Sequence, residues 1–450
     1  MLSFQAMPLY AFGALPPRPC RGRDPVLQDE PDPAVSSSAL FERYLAHRFL
    51  PWCRVGGRLT IATSDAGARN RCWLRAVFRG AEIVIVDAGF LDRAISGRFP
   101  DRLTDRAVRL LRERKPEFSA RRRITFRQGG FVAAFALLLF VLFGLAPGRA
   151  MLGLVILSSI GFCLGAGMRV ALAMLNERAV AANPVAGDPG LPVYTVLVPH
   201  YREAAELPPL AAALNGLDYP KDRLDVKFVV EADDGATRRT AERIAARFGF
   251  DVVVVPPSLP RTKPKACNAA LPFARGEYLV IYDAEDRPEP DQLRRALAAF
   301  RGVPSDTACL QARLAIDNAA DGWLAAMFAL DYDVWFRVLL PALERLRLPL
   351  PLGGTSNHFR IAALRRVLGW DPFNVTEDAD LGIRLARYGY RVAVLDSTTY
   401  EEAPARLGPW LRQRTRWFKG YMQTLLVHSR RPAETVRHLG IGGALGIFGF

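Results

Sequence analysis

The first 120 residues comprise a polar segment and then a segment in which apolar residues recur with helical or strand spacing. Residues 1–35 are rich in Pro, Arg and Asp and contain no apolar run, which predicts a disordered tail. Residues 36–120 then show mixed periodicity: Ala39–Ala46 has the spacing of a helix, while Arg58–Thr63 and Glu82–Val86 are short β-branched runs, each followed by turn residues. The pattern predicts a small α+β domain.

Two long apolar runs follow this domain. Gly129–Pro147 and Met151–Met168 carry no charged residue, and each has close to the ~20 residues that span a bilayer core. We predict two transmembrane helices within 128–175. Because Arg121–Arg123 precede the first run and the connecting loop carries only Arg149, the positive-inside rule predicts that both flanking domains lie in the cytoplasm.

After these runs the pattern becomes that of an α/β domain, over residues 190–432. Apolar strand-like runs alternate with helical stretches, as expected for a doubly wound sheet that binds ligands at the carboxyl ends of its strands. The strand-like runs are Val193–Val198, Asp225–Val230 and Tyr278–Tyr282, and the clearest helices are Arg238–Phe248 and Asp291–Phe300. Residues 437–450 are apolar and indicate the start of a further transmembrane helix.

The amino-acid composition excludes several classes of protein and of site. Half of the 450 residues are hydrophobic, which excludes a disordered chain. The formal net charge of +15 is compatible with an anionic membrane face or a phosphorylated ligand. We expect no nucleic-acid partner, because no zinc-finger, homeodomain or RNP pattern is present. The six cysteines form no C-x-x-C pair and the five histidines no H-E-x-x-H, so a catalytic zinc site is not expected.

Three acidic clusters follow predicted strands or turns. They are Asp233-Asp234, the Asp283-Ala-Glu285-Asp286 run and Glu377-Asp378. Carboxylates between apolar strands are costly unless they hold a cation or a proton. Mg²⁺ or Mn²⁺ prefers oxygen ligands, and a nucleotide diphosphate can supply those that the protein does not. Each cluster alone is also typical of a turn or a helix cap, and it is their order and their positions after strands that favour a site for a metal–diphosphate complex.

The order of these clusters and of two further motifs resembles one enzyme family. The matching segments are Val196-Leu-Val-Pro-His-Tyr-Arg-Glu203, Asp233-Asp234, Lys263-Pro-Lys265, Asp283-Ala-Glu285, Thr376-Glu-Asp378 and Gln413-Arg-Thr-Arg-Trp417. In this order they resemble family 2 inverting glycosyltransferases of the Rossmann-like GT-A fold, among them the processive, membrane-embedded synthases such as cellulose synthase. The resemblance covers residues 192–420 and implies a cytosolic GT-A domain placed after a transmembrane helix pair.

The resemblance also implies roles for individual residues. Asp378 would be the general base, since an inverting displacement needs one carboxylate beside the acceptor hydroxyl. Asp283 and Glu285 would hold the metal, with Glu285 replacing the usual second Asp and Asp286 able to share the task. The residues implied to bind the nucleotide-sugar are Asp233, Asp234, Lys263, Lys265, Asp283 and Arg416. Those implied to bind the acceptor are Glu377, Gln413 and Trp417. Asp233 is slightly favoured over Asp234 as the nucleoside contact.

The leading hypothesis is a bacterial inner-membrane, multi-pass hexosyltransferase with a cytoplasmic catalytic domain. It would transfer a sugar, with inversion, from a nucleotide-sugar (a UDP-sugar being favoured) to a growing polysaccharide or surface glycan. One alternative is a non-processive transferase acting on a lipid-linked acceptor. The other is a non-catalytic component of a surface-glycan export or phage-adsorption system, with export or outer-membrane partner proteins. Residues Leu50-Pro51 and Gly57–Asp65 of the N-terminal domain resemble the N-terminal domain of type II secretion ATPases, which favours that last alternative.

Overall fold

The computed structural model describes residues 27, 30–175, 187 and 190–449. Most of the predicted tail, residues 1–26, 28 and 29, lies outside the described residues. Its last part is folded: Val35 is buried, and the Asp32 amide donates a hydrogen bond to the Trp52 carbonyl at 2.7 Å. The N-terminal domain therefore includes a few residues more than the predicted boundary at residue 36.

The N-terminal domain is a three-stranded sheet covered by helices, as the periodicity predicts. Its strands are β1 (Phe49–Val55), β2 (Arg58–Thr63) and β3 (Glu82–Ile85), and its helices are α1 (Phe41–His47), α2 (Ala68–Val77), α3 (Ala88–Arg98) and α4 (Pro100–Arg114). β2 pairs antiparallel with β1 and parallel with β3.

Two apolar helices, α5 (Phe126–Leu145) and α6 (Pro147–Met174), follow the N-terminal domain. Within the described residues, these two helices are long and apolar enough to cross a membrane, and almost all of their side chains are exposed. The first begins with a capping box between Thr125 and Gln128. Gln128 Nε2 also donates to the Leu426 carbonyl at 2.8 Å and to Ser429 Oγ at 3.0 Å, so the start of α5 is tied to the α/β domain.

The α/β domain is built on one sheet of eight strands in the order β6-β5-β4-β7-β10-β9-β11-β8. The strands are β4 (Tyr194–His200), β5 (Leu224–Glu231), β6 (Asp251–Val255), β7 (Tyr278–Ile281), β8 (Arg287–Pro288), β9 (Thr307–Ile316), β10 (Asn357–Arg360) and β11 (Arg391–Glu401). The three strand-like runs predicted in this domain are β4, β5 and β7. The expected parallel sheet is in fact mixed, because β10 runs antiparallel to both β7 and β9, and β8 antiparallel to β11.

Helices cover both faces of this sheet, which is why every position of β4 and nearly every position of β5 is buried. The helices of the domain are α7 (Leu207–Asn215), α8 (Gly235–Phe248), α9 (Lys263–Ala270), α10 (Gln292–Gly302), α11 (Trp323–Asp333), α12 (Leu340–Arg345), α13 (Ile361–Arg366), α14 (Glu377–Arg387), α15 (Leu407–His428) and α16 (Pro432–Gly449), of which the last two pack on α14 rather than on the sheet. A π-helical stretch, Val334–Leu339, joins α11 to α12. The last helix, α16, is kinked at Gly440 and contains the predicted start of a third span.

The N-terminal domain is docked on the α/β domain through a buried charge. Lys227 of β5 is fully buried, and its ammonium lies 3.1 Å from both Asp225 and Asp251 and 3.6 Å from Asp92 of α3. In addition, Asn268 of α9 donates to the Ala107 carbonyl of α4 at 3.1 Å. The N-terminal domain thus supports α9, the helix that begins with Lys263.

Candidate active site

The acidic residues after β7 form a tight turn, called here the turn cluster (Asp283, Glu285 and Asp286). The Asp283 amide donates to Asp286 Oδ2 at 2.7 Å and to Thr355 Oγ1 at 3.3 Å, and the Thr355 hydroxyl also donates to Asp286. Asp286 is 1% exposed, and burial raises its pKa well above the usual range. Asp286 therefore shapes the turn, whereas the Asp283 and Glu285 side chains project toward solvent.

Lys263 connects the turn cluster to the rest of the site. Its ammonium forms an ion pair with Asp283 and donates to the Gly354 carbonyl at 2.6 Å. Burial acts to lower the pKa of Lys263, but the carboxylates of Asp283 and Glu377 outweigh it and raise that pKa. The lysine is therefore a fixed positive charge between two acidic clusters.

The second cluster, called here the helix cluster (Glu377 and Asp378), lies in the first turn of α14. Burial raises the pKa of Asp378 to about 6, and burial together with Asp378 raises the pKa of Glu377 to about 8. A Cβ on Gly354 would lie 3.5 Å from Asp378 Oδ2, so the glycine loop approaches the carboxylate closely. A carboxylate with a pKa near neutrality is suited to accept a proton at physiological pH.

The turn cluster fits a cation that arrives with a diphosphate. Among the described residues, no three His, Cys, Asp or Glu side chains come together as a ready-made metal site. Mg²⁺ and Mn²⁺ commonly use one or two carboxylates plus phosphate oxygens, and Asp283 and Glu285 supply that number. Burial and the neighbouring Asp283 and Glu203 raise the pKa of Glu285 to about 7, a repulsion that a bound cation would relieve.

The adjacent residues Asp233 and Asp234 have different surroundings and different hydrogen-bond partners. Asp234 caps α8: it accepts hydrogen bonds from the Thr237 amide at 3.2 Å and from the Arg202 amide at 2.5 Å. Asp233 is exposed and lies 2.7 Å from the Arg261 guanidinium. Of the two predicted nucleoside contacts, Asp233 is the one whose carboxylate is accessible from solvent.

The structure corrects the prediction for Lys265. This lysine is fully buried, with its ammonium 2.8 Å from Glu231 Oε1 and a hydrogen bond to the Ser258 carbonyl. It points away from Lys263 because residues two positions apart lie about 200° apart around a helix. A side chain with no exposed surface cannot contact a diphosphate in this conformation, so Lys265 supports the fold beneath the site.

Two of the three predicted acceptor residues, Gln413 and Trp417, lie on one face of α15, whereas Glu377 belongs to the helix cluster on α14. Trp417 packs against Phe328 and Tyr332 of α11, at ring-centroid distances of 5.9 and 6.4 Å. Gln413, one turn earlier, is half-buried, and its Oε1 has no hydrogen-bond partner among the described residues. Arg416, predicted to reach the diphosphate, is exposed and lies about 100° around the helix from Trp417.

Helix α15 crosses directly over the Thr-Glu-Asp motif. A Cβ on Gly420 would lie 2.6 Å from Thr376 Oγ1 and 2.7 Å from the Thr376 amide, so only glycine permits this approach. The contact is reinforced by hydrogen bonds from Asn374 to Thr424 at 2.9 Å and from the Val375 amide to Gln423 at 3.1 Å. Trp417 lies three residues before Gly420, so this packing fixes the backbone that carries Trp417 relative to Thr376.

Several residues of the site were not anticipated from the sequence. Glu401, at the end of β11, is buried beside Tyr332 and near the turn cluster, and burial raises its pKa to about 8. Arg414 lies between Trp410 and Trp417. Trp410, Arg414 and Trp417 are spaced i, i+4 and i+7, which predicts that they share one face of a helix, so the sequence could have revealed this contact.

Comparison with known proteins identifies similarity to glycosyltransferases. The family model described as "Glycosyl transferase family group 2" matches residues 278–449. The probable glycosyltransferase YdaM of Bacillus subtilis (strain 168) is 25% identical over 252 residues, which cover 52% of this chain and 57% of that protein. Glucomannan 4-beta-mannosyltransferase 2 of Arabidopsis thaliana is 28% identical over 251 residues, covering 52% of this chain and 45% of that protein. Residues 278–449 are therefore similar to family 2 glycosyltransferases, as are about half of the chain's residues to individual glycosyltransferases.

A third relative differs in the acceptor that its name gives. Beta-monoglucosyldiacylglycerol synthase of Nostoc sp. (strain PCC 7120 / SAG 25.82 / UTEX 2576) is 29% identical over 244 residues, which cover 52% of this chain and 50% of that protein. The chain spans about half the length of the curated relatives it matches. The family 2 glycosyltransferase model includes the turn cluster, the helix cluster and Gln413–Trp417, whereas Asp233 and Lys263 precede its first matched residue.

Among solved structures, the mannosyltransferase PcManGT from Pyrobaculum calidifontis, in complex with GDP-Man and Mn²⁺, resembles this chain with a TM-score of 0.48 and 20% sequence identity. The match covers 65% of this chain and 84% of that one. The mixed sheet and the family 2 glycosyltransferase match together support a GT-A-like fold.

Proposed function

We propose that the protein is a membrane-bound hexosyltransferase that moves a sugar from a nucleotide-sugar, with a UDP-sugar as the favoured donor, to a hydroxyl of a growing polysaccharide or surface glycan. The observation that carries this proposal is the bridge made by Lys263. Its ammonium contacts Asp283 and the Gly354 carbonyl, and Gly354 lies beside Asp378. A place for the donor phosphates and a candidate base therefore share one cleft.

In this mechanism Asp378 accepts the proton of the acceptor hydroxyl. The hydroxyl oxygen bonds to the anomeric carbon while the bond from that carbon to the diphosphate oxygen breaks, and the nucleoside diphosphate leaves with the electron pair. A single displacement of this kind inverts the anomeric configuration. Because the pKa of Asp378 is raised to about 6, the carboxylate is ionised at neutral pH and still basic enough to take the proton.

Other residues position the two substrates. Lys263 would neutralise the diphosphate, and Asp233 would bind the nucleoside. Mg²⁺ or Mn²⁺ held by Asp283 and Glu285 would offset the charge on the leaving diphosphate. Trp417 would contact the acceptor sugar, since aromatic rings suit the C–H faces of pyranoses, and Gln413 lies one turn earlier on the same face of α15.

The two apolar helices support a location in the membrane. The exposed Arg121–Arg123 lie just before α5, where they suit the cytoplasmic face of a bilayer. Since Gln128 ties the start of α5 to the end of α15, the catalytic cleft would lie close to that face. We propose an inner-membrane protein with its catalytic domain in the cytoplasm.

A lipid-linked acceptor is the second candidate, and one feature favours it. An apolar pocket lined by Pro349, Pro351, Ile383, Leu425 and Ile447 includes Tyr421. Burial and the Asp378 carboxylate raise the pKa of Tyr421, so this tyrosine interacts electrostatically with the candidate base. The apolar lining would favour an acceptor that carries an alkyl chain, although the pocket, at about 30 Å³, would have to widen to admit it.

The test is nucleotide release from membranes that contain the full chain, with a panel of UDP-, GDP- and ADP-sugars and with Mn²⁺ or Mg²⁺. We expect turnover of one donor class that needs the metal and falls by at least ~10²-fold in Asp378→Asn. The matched control is Asp222→Asn, whose side chain is 78% exposed and remote from the cleft.

The products separate the remaining possibilities. Nuclear magnetic resonance of the linkage formed tests inversion, and extraction into organic solvent distinguishes a lipid-linked product from a polysaccharide. If no donor turns over with either type of acceptor, the proposal is wrong, and a non-catalytic role in surface-glycan export or phage adsorption becomes the leading explanation.

A further inference from the structure

Helix α15 presents a charged residue in the middle of its aromatic face. Trp410, Gln413, Arg414 and Trp417 recur at i, i+3, i+4 and i+7 and so lie on the same side of the helix. Three of these are aromatic or amide side chains, which suit sugar binding. Arg414 is the exception, and the family resemblance assigns it no role.

Arg414 is enclosed by rings. Its guanidinium carbon lies 4.7 Å from the ring centroid of Trp417, 4.7 Å from that of Phe328 and 5.4 Å from that of Trp410. One of its terminal nitrogens lies 2.7 Å from Asp331 Oδ2, and its side chain is 21% exposed. The ion pair joins α15 to α11, the two helices that form this wall of the cleft.

These contacts restrict the motion of Trp417. A planar guanidinium stacks on aromatic faces in a way that an ammonium cannot, and a cation–π contact is stronger when it is partly desolvated. The Asp331 carboxylate holds the guanidinium in place from the other helix. Trp417 is thereby supported by Arg414 as well as by Phe328 and Tyr332, and only the part of its half-buried ring that these three leave uncovered can meet a ligand.

We propose that Arg414 is a positioning residue for the acceptor: paired with Asp331, it sets the orientation in which Trp417 meets the acceptor sugar. The inference rests on the proposed transferase function and adds a residue to it. Among the described residues, Arg414 contacts neither the turn cluster nor Lys263. A substitution of Arg414 should therefore change acceptor binding and leave donor binding unchanged.

The kinetic test compares Arg414→Gln, Arg414→Lys and Asp331→Asn with the wild-type chain. We expect the acceptor KM to rise roughly three- to thirty-fold in Arg414→Gln and less in Arg414→Lys and Asp331→Asn, since each of these keeps part of the arrangement. The donor KM, and donor hydrolysis without acceptor, should stay within about two-fold. The control is Arg412→Lys, an exposed arginine on the same helix, which should change neither KM.

A second readout does not depend on turnover. The fluorescence of Trp417 is obtained by subtracting the signal of the matching Trp417→Phe variant. We expect acrylamide to quench this fluorescence about twice as strongly in Arg414→Gln as in the wild-type chain, because the ring loses a covering contact. An unchanged thermal unfolding midpoint shows that the fold is retained.

The outcomes are distinguishable. An unchanged acceptor KM, or an equal loss of transfer and hydrolysis, overturns the positioning role while leaving the transferase function intact. If the wild-type chain neither transfers nor hydrolyses any donor, the transferase function fails instead. In that case unchanged quenching of Trp417 in Arg414→Gln overturns the inference on its own.

Discussion

The two acidic clusters of the cleft are held in place by different means. The turn cluster is held mainly by its own four-residue turn, in which Asp286 accepts a hydrogen bond from the Asp283 amide, and by one distant hydroxyl, that of Thr355. The helix cluster depends on a fit between α14 and α15, at Thr376 and Gly420, which lie far apart in sequence. Substitutions in the turn cluster should therefore act through its own chemistry, whereas the helix cluster should also be sensitive to changes made on another helix.

The largest expected effect separates two aspartates within the turn cluster. Asp283→Asn removes a predicted metal ligand and the partner of Lys263, and we expect kcat/KM to fall by roughly 10³-fold. Asp286→Asn keeps the acceptor oxygen that binds the Asp283 amide and the Thr355 hydroxyl, so the loss should be under about ten-fold.

The measurement is donor turnover at saturating and at limiting Mn²⁺. Equal losses in the two variants would show that Asp286 is itself a ligand and that the turn has no separate supporting residue.

The next expected effect tests the dependence of the helix cluster on α15. Gly420→Ala places a methyl group 2.6 Å from Thr376 Oγ1, so the helices must move apart. We expect roughly 10²-fold lower transfer, because displacements near 1 Å in a reacting geometry have effects of that size, and a loss of ~1–3 kcal/mol in the free energy of unfolding.

The matched control for that prediction is Gly408→Ala near the start of α15, where the nearest atom to an added Cβ is the flexible end of Arg412 at 3.6 Å. Activity and denaturation midpoints are compared across both variants. A fully active Gly420→Ala protein would mean that the helix cluster does not depend on this contact.

The same contrast marks the limit of prediction from sequence. The strands β4, β5 and β7, both apolar helices and the acidic motifs were predictable, since continuous apolar runs and loop carboxylates are local signals. The antiparallel direction of β10 was not, because Asn357–Arg360 is only four residues long and its pairing with β7 and β9 is a long-range property. The Gly420–Thr376 contact is equally invisible in a local pattern.

A smaller effect concerns pH and links the two clusters through Lys263. Asp378 must be ionised to accept a proton, and its pKa is raised to about 6, so kcat/KM should fall as the pH drops through that value. Lys263 favours the ionised form. Lys263→Gln should therefore raise the pKa of Asp378 and move the acid limb of the pH profile to higher pH.

The measured quantity is the pH at which kcat/KM falls to half on the acid side of the profile. The absolute rate is not used, because Lys263→Gln will also reduce it. Lys419→Gln, at an exposed lysine of α15, is the comparison. A limb that stays in place would show that Lys263 does not electrostatically connect the two clusters.

The smallest expected effects lie in the neighbouring pair Asp233 and Asp234. Asp233→Asn should raise the donor KM by roughly three- to ten-fold without affecting stability, because its carboxylate is exposed. Asp234→Ala should lower the free energy of unfolding by ~1 kcal/mol, because it removes the cap of α8. Isothermal titration with the nucleoside diphosphate and urea denaturation measure the two quantities.

The reverse result, with the nucleotide affinity depending on Asp234 and the stability on Asp233, would exchange their roles. Sequence reasoning left this pair unresolved, and it placed Lys265 beside Lys263, for the same reason. Whether a charged side chain faces a cleft or a buried partner depends on residues such as Arg202 and Glu231, which are more than thirty positions away.

The bond from Gln128 to the Leu426 carbonyl acts as a tether of fixed length. Trp417 and Leu426 lie on the same helix, about 14 Å apart along its axis at ~1.5 Å per residue. If α5 is embedded in a bilayer as proposed, the cleft can work only within a thin layer next to that surface. An acceptor anchored in the same membrane would then be present at a high effective concentration, while a free glycan end in bulk solution would not.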